Sequence, residues 1–261
     1  MYILPLREPE PALPLLTFLA VYVNIIYMSA ALNGPDFSFL DGARDADDND
    51  LSLVSGSDAW YVNNSTFFDY ARRASIFNQP DGLAKLVVRQ IGTAEDNAGL
   101  DLAAGTTARA IRDLLDSGVL RHALATNYSD HRPENVVADD RLDHIAGNLT
   151  VPDTWEKIID WTKVKAPDGL ALVMHRPLAG LQSLPTKTYA GAANLMLDMI
   201  RPGGLMFTQI PRTLVAKPSE LSVLCQDIRE RPDIDRVHIT PPRTKVTNND
   251  ERDLYAVVIK K

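Results

Sequence analysis

From about residue 96 onward the chain alternates short apolar runs with amphipathic stretches. The apolar runs fall at residues 99–103, 122–126, 144–146, 170–174, 205–210, 237–239 and 254–259. Between most of them lie segments of helical spacing, at 107–117, 155–162, 188–200 and 218–231. Short buried strands separated by helices predict a parallel sheet with right-handed crossovers. The tail breaks this rhythm. Residues 240–253 are polar and carry no helical pattern, so the strands on either side are expected to pair antiparallel as a hairpin. The expected fold class is α/β: a doubly wound, mostly parallel seven-stranded sheet with an antiparallel last strand, plus an N-terminal helical extension.

Upstream of residue 96 the pattern divides again. Residues 59–91 show helical periodicity. Trp60, Tyr61, Phe67, Phe68, Tyr70, Ile76 and Phe77 supply aromatic and apolar surface, and Leu83, Leu86, Val87 and Ile91 share one face of a helix. Such helices pack on the main sheet, and the same face is compatible with a lid over a ligand. Residues 36–57 are polar and acidic. The run at 41–50 lacks the Gly and closing Glu of a calcium loop at the required spacing, so it reads as a solvated linker. Residues 11–35 carry no charge, and 13–32 is long enough to cross a bilayer. A membrane anchor, a signal peptide with Ser29 and Ala31 before the cleavage point, and a buried or accidental segment are the competing readings, and the first 27 residues also read as an over-extended gene start before Met28. Pro14, Asn24 and the acidic flank Arg7-Glu8-Pro9-Glu10 favour a non-membrane reading. The chain thus divides into a hydrophobic segment at 1–35, an acidic linker and helical lid at 36–95, and an α/β domain at 96–261. A cytoplasmic location is expected, with membrane association only through residues 11–35 as the alternative.

Composition narrows the chemistry. The 261 residues are 45% hydrophobic and 23% charged, ordinary values for a globular chain able to bury a core. The formal net charge of −7 argues against general nucleic-acid binding. Cys225 is the single cysteine, which excludes an internal disulfide and a Cys-rich zinc site. His122, His131, His144, His175 and His238 show no zinc-ligand spacing, and no metal is expected.

In a doubly wound sheet the ligand sits at the carboxyl ends of the strands, near the switch in strand order. The first strand–helix connection, Asp101-Leu102-Ala103-Ala104-Gly105-Thr106-Thr107, suits that place. Its small residues let the backbone approach a ligand, Gly105 can take a positive φ, and Thr106 or Thr107 can cap the following helix. Asp101, near the strand end, can accept hydrogen bonds from a cofactor or from the loop. A strand–turn–helix with no ligand has the same local pattern.

These residues resemble the first motif of the class I S-adenosylmethionine-dependent methyltransferases, acidic-x-Gly-x-Gly followed by a small residue and Gly. Asp101-x-Ala103-x-Gly105-Thr106-Thr107 matches it, with Ala103 for the first Gly and Thr107 for the last. Met199-Ile200-Arg201-Pro202-Gly203-Gly204-Leu205-Met206-Phe207 is similar to the family's helix-to-fifth-strand junction, where Pro-Gly-Gly reverses the chain. The terminal hairpin is the third likeness, and the resemblance covers residues 99–261.

The resemblance implies S-adenosylmethionine as cofactor, held by Asp101, Ala103, Gly105, Thr106 and Thr107. It places Asn127 at the end of the second strand, where the family has an acidic residue for the ribose hydroxyls, with Asp130 as the alternative. It places Asn148 and Leu149 after the third strand, where the family has an acidic residue and a hydrophobic one at the adenine. Both usual acids are therefore amides here, which keeps hydrogen bonding and lowers charge complementarity. The fourth strand leads to His175 and Arg176 at the acceptor edge. His175 is the best-placed candidate base, with His131 a weaker one, and Arg176 suits an acidic acceptor. For each of these the structural alternative is a histidine bonded only to the protein and a surface arginine. The implied activity is methyl transfer to a small molecule or other acceptor. A methyltransferase-like binding or scaffold protein without catalysis is the competing reading. A nicotinamide-dependent oxidoreductase is disfavoured by the terminal hairpin and the absent third Gly.

Overall fold

The computed structural model describes residues 35–41, 66–67, 82–92, 94–105, 107–128, 138–175, 186–211, 218–240 and 254–261. Outside them lie the apolar stretch up to residue 34, most of the acidic run, and the residues Trp60, Tyr61, Phe68, Tyr70, Ile76, Phe77, Thr106, Asp130, His131 and Arg176. The chain forms two compact units, Met1–Ser38 and Phe39–Lys261. Among the described residues no helix is long and apolar enough to cross a membrane.

After the helix α1 (Gly82–Ile91), strands and helices alternate. They run β1 (Ala98–Leu102), α2 (Arg109–Asp116), β2 (His122–Asn127), β3 (Leu142–Ala146), α3 (Pro152–Lys165), β4 (Leu170–His175), α4 (Thr186–Asp198), β5 (Ile200–Pro211), α5 (Pro218–Arg229), β6 (Arg236–Thr240) and β7 (Leu254–Lys260). The seven strands form one sheet in the order β3-β2-β1-β4-β5-β7-β6. The pairs β1–β2, β1–β4, β2–β3 and β4–β5 are parallel. The last strand, β7, slots between β5 and β6 and runs antiparallel to both. The expected fold class and the terminal hairpin are therefore borne out. The strand order reverses at β1, which has β2 on one side and β4 on the other, and this sets the switch point beside the first loop.

β1 is buried at every position, as the central strand of a sheet covered on both faces must be. On one face, Leu83, Val87 and Ile91 of α1 join Ile111, Leu114 and Leu115 of α2, and they pack with Phe67, Met174 and Phe207. Side chains alternate along a strand, so His175 and Thr208 project to the opposite face, where Tyr189 of α4 meets them. On α4, Tyr189, Ala192, Ala193, Met196 and Leu197 share one buried helical stripe. Trp155 of α3 is fully buried; its ring meets Phe39 edge-on, and its indole N–H donates to the Leu149 carbonyl at 2.9 Å.

Two local expectations are corrected. The Pro202-Gly203-Gly204 turn does not separate helix from strand. α4 stops at Asp198 and β5 begins at Ile200, so the three residues lie within the strand. β4 pairs Leu170 with Ile200 but Leu172 with Leu205, so two residues of advance on β4 match five on β5. The surplus bulges out. The bulge finds partners in the chain end: Gly203 N–H donates to the Lys261 carbonyl at 2.7 Å, and Lys261 N–H donates to the Gly204 carbonyl at 3.2 Å. Gly203 sits at φ 80°, and a Cβ on Gly204 would stand 2.9 Å from the Leu170 carbonyl oxygen. Secondly, α2 begins at Arg109 and not at Thr107. Its N-cap is Ala108, in the left-handed region at φ 48°, and no side chain caps it. The Thr107 carbonyl accepts from Arg112 Nε at 3.1 Å.

Candidate cofactor cradle and acceptor edge

β1 ends at Leu102 because Ala103 turns out of the strand at φ 61°, followed by Gly105 at φ 77°. These are the two positions that the sequence motif assigns to glycine. A glycine takes that geometry freely, whereas an alanine resists it by about 1–2 kcal/mol. The loop is held in place by the neighbouring strand. Ala103 N–H donates to Thr126 Oγ1 at 3.3 Å, Ala104 N–H to the Thr126 carbonyl at 3.0 Å, and Ala108 N–H to the Gly105 carbonyl at 3.2 Å. Ala103, Gly105 and Thr107 stay half-buried, with Asp101 fully buried just before them in β1.

Asn127 and Asn148 reach the same sheet edge. Asn127 ends β2, is half-buried, and accepts from Gly147 N–H through its carbonyl at 2.8 Å. Asn148 follows β3. Its Oδ1 accepts from both the backbone N–H and the hydroxyl of Thr150, at 2.9 and 2.8 Å. The Asn148 side chain therefore builds its own turn, with the amide oxygen committed there. Leu149 is buried beside it at 8% exposure. Gly147 permits this turn, because a Cβ there would strike the Thr154 side chain of α3.

His175 lies at the end of β4, level with Leu102 on β1 and Thr208 on β5. Its ring is fully buried. Nδ1 stands 3.3 Å from Tyr189 Oη and 3.2 Å from Thr208 Oγ1, and the two hydroxyl oxygens are 2.5 Å apart. The rings of His175 and Tyr189 lie 5.5 Å apart at 40°. Burial pushes the Tyr189 phenol well above the usual tyrosine range, so it keeps its hydrogen.

The structure thus brings Asp101, Ala103, Gly105, Thr107, Asn127, Asn148, Leu149 and His175 to the carboxyl edge of the sheet, at the ends of β1 to β4. Three contributors are not evident from the motifs: Thr126, Tyr189 and Thr208. Tyr189 had a signal. It falls on the apolar stripe of α4, and a buried phenol needs a partner for its hydroxyl. Thr126 and Thr208 read only as ordinary strand residues.

No family model matches the chain, and no curated protein matches it. Solved structures do. An rRNA methylase from Streptococcus thermophilus is 11% identical over 69% of this chain and 94% of its own, with a TM-score of 0.44. The N-methyltransferase NodS from Bradyrhizobium japonicum is 9% identical, over 69% of this chain and 94% of its own, with a TM-score of 0.45. The glycopeptide N-methyltransferase MtfA, solved with S-adenosyl-L-homocysteine, is 13% identical over 69% and 88%, with a TM-score of 0.43. The strand order itself, with an antiparallel β7 inserted between β5 and β6, defines a Rossmann-like fold of the class I methyltransferase type.

Proposed function

We propose that this chain transfers a methyl group from S-adenosylmethionine to a small-molecule acceptor. The observation that carries the reading is the loop after β1. It leaves the central strand at the switch point, takes left-handed geometry at Ala103 and Gly105, and keeps a half-buried backbone facing the sheet edge. A loop of this shape, built of small residues, lets the backbone approach a ligand closely. The fit extends along the edge. Asp101 and the backbone of 103–107 would hold the amino-acid end, Asn127 the ribose, and Asn148 with Leu149 the adenine. When bound, the cofactor supplies an electrophilic methyl on sulfur. The chain supplies alignment of an acceptor at the β4 end, beside His175 and the residues that follow it.

One observation favours the second reading, a methyltransferase-like binding protein without catalysis. The Asn148 amide oxygen is engaged by Thr150, which leaves this position less able to read an adenine amino group than the family's acid.

Calorimetry with S-adenosylmethionine and S-adenosylhomocysteine separates the readings. Binding is expected, and Asp101→Asn should weaken it by roughly 10- to 100-fold, the loss of one charge-assisted hydrogen bond. No binding at millimolar ligand would sink both the cofactor and the reaction. Binding without turnover across a broad acceptor panel would favour the second reading.

A further inference from the structure

We infer that Asn148 offers amide hydrogens, and not an oxygen, to the base of the bound nucleoside, so that the 6-amino group of adenine goes unread and purines with hydrogen or oxygen at that position are accepted. The orientation of the amide follows from the structure; the base as its ligand rests on the proposed function.

Two bonds to Thr150 fix the amide. Asn148 Oδ1 accepts from the Thr150 backbone N–H at 2.9 Å and from the Thr150 hydroxyl at 2.8 Å. A backbone N–H can only donate, so the amide atom that faces it is the oxygen and not Nδ2. An amide oxygen has two lone pairs, and both are taken. Thr150 is buried, so turning the Asn148 oxygen outward would strand its N–H without an acceptor. The turn that carries Asn148 is itself pinned. The Asn148 carbonyl accepts from Val151 N–H at 3.2 Å, the Leu149 carbonyl accepts from Trp155 Nε1 at 2.9 Å, and Gly147 N–H donates to the Asn127 carbonyl at 2.8 Å. Trp155 is fully buried against the Phe39 ring.

The oxygens of Asn148 and Leu149 are therefore already engaged within the turn. What remains on the half-buried Asn148 side chain is Nδ2, whose hydrogens no described residue takes. The amino group of adenine is also a donor, because its nitrogen lone pair is drawn into the ring. Two donors do not pair. Ring nitrogens and a 6-oxo oxygen carry lone pairs, and these match Nδ2. A carboxylate at this position would differ: one oxygen could hold Thr150 while the other receives the amino group. The amide thus changes which atoms of the base are read, and not only the charge that reads them.

Calorimetry on the full chain tests this with three ligands. They are S-adenosylhomocysteine, its analogue with hydrogen in place of the 6-amino group, and the 6-oxo analogue S-inosylhomocysteine. The wild-type chain should bind the first two within about twofold of each other, since no hydrogen bond is lost. A larger loss without the amino group would overturn the proposal. Asn148→Asp should favour S-adenosylhomocysteine over each analogue by about tenfold more than the wild type does. Comparing ratios cancels general damage to the site, and it cancels the hydrogen that the 6-oxo form gains on N1. Ratios unmoved by the substitution would equally overturn the assignment to Asn148. The wild-type comparison stands even if the variant does not fold. Binding of none of the three ligands would defeat the cofactor reading and this inference with it, whereas binding with a preference for the amino form defeats this inference alone.

Discussion

Thr126 grips the loop after β1 twice: its hydroxyl accepts from Ala103 N–H at 3.3 Å and its carbonyl accepts from Ala104 N–H at 3.0 Å. Through these two bonds, the end of β2 fixes the turn that leaves β1. The cradle is therefore a property of two neighbouring strands and not of the loop sequence alone. Its floor is the buried β1 strand, and its shape depends on a side chain 23 residues further on.

Thr126→Val keeps the shape of the side chain and removes the hydroxyl acceptor. The carbonyl bond to Ala104 remains. Stability should fall by about 1 kcal/mol, the net worth of one such bond, in a urea titration. S-adenosylhomocysteine affinity should fall several-fold, with Thr126→Ser restoring both. Unchanged affinity in Thr126→Val would show that the loop holds its shape without this contact.

Ala103→Gly should raise stability. Ala103 sits at φ 61°, where a Cβ is opposed by the backbone. Removing that strain outweighs the added freedom of the unfolded chain, for a net gain of about 0.5–1 kcal/mol. The denaturation midpoint reads the sign directly, and a decrease would contradict the left-handed turn.

At the other end of the sheet, Asn97 gathers four segments. It is fully buried, and its amide group donates to the Val119 carbonyl at 2.9 Å and approaches the carbonyls of Ile91 and Gly92 at 3.4 and 3.3 Å. Its Oδ1 accepts from Arg201 Nη2 in the β5 bulge. Asn97→Ala should cost about 2–3 kcal/mol, since it removes the side-chain bonds that buried Asn97 makes to three carbonyls and to Arg201. Arg201→Ala should cost less, and the double variant less than the sum of the two, because both lose the same bond. Strict additivity in the cycle would deny the coupling.

Asp233 should contribute to acid sensitivity, as should Asp139, whose carboxyl Arg141 holds equally low. The two hydrogen bonds from Arg231, at 3.0 and 2.8 Å, are the main reason the Asp233 carboxyl is held to about 2 instead of 3.8, with Lys261 adding at 3.2 Å. A depressed carboxylate contributes stability that is complete above the unfolded value and fades as pH falls through the folded one. The native chain should therefore lose this contribution between about 4 and about 2. Asp233→Asn should show a flatter stability curve over that interval, read by thermal melts across pH. The group is partly exposed, so the effect should also shrink as salt rises.

Much of the architecture was legible without coordinates. Apolar runs of strand length mark all seven strands, and the absence of helical spacing at 240–253 fixes the final hairpin. These are consequences of local periodicity, which the chain carries in itself. The bulge in β5 was not legible. Pro202, Gly203 and Gly204 have the local chemistry of a turn, and within the strand their backbone groups are met by Lys261 and by the Gln90 side chain, both distant in sequence. The helix start failed for a similar reason. Thr106 and Thr107 have the chemistry of capping residues, but the left-handed Ala108 takes the N-cap position and α2 starts at Arg109.

The sequence by itself determined the order of elements and the antiparallel close of the sheet, because side-chain alternation and turn chemistry are short-range properties. The three-dimensional structure decided what those residues do there. It committed the Asn148 oxygen to Thr150, gave Thr126 the loop, and set Tyr189 and Thr208 against His175. Each of these depends on which hydrogen-bonding groups meet once β2, β3, β4, β5 and α4 are packed. Packing joins residues that are up to 33 positions apart in the His175 triangle and 23 in the loop, and no local pattern encodes that meeting.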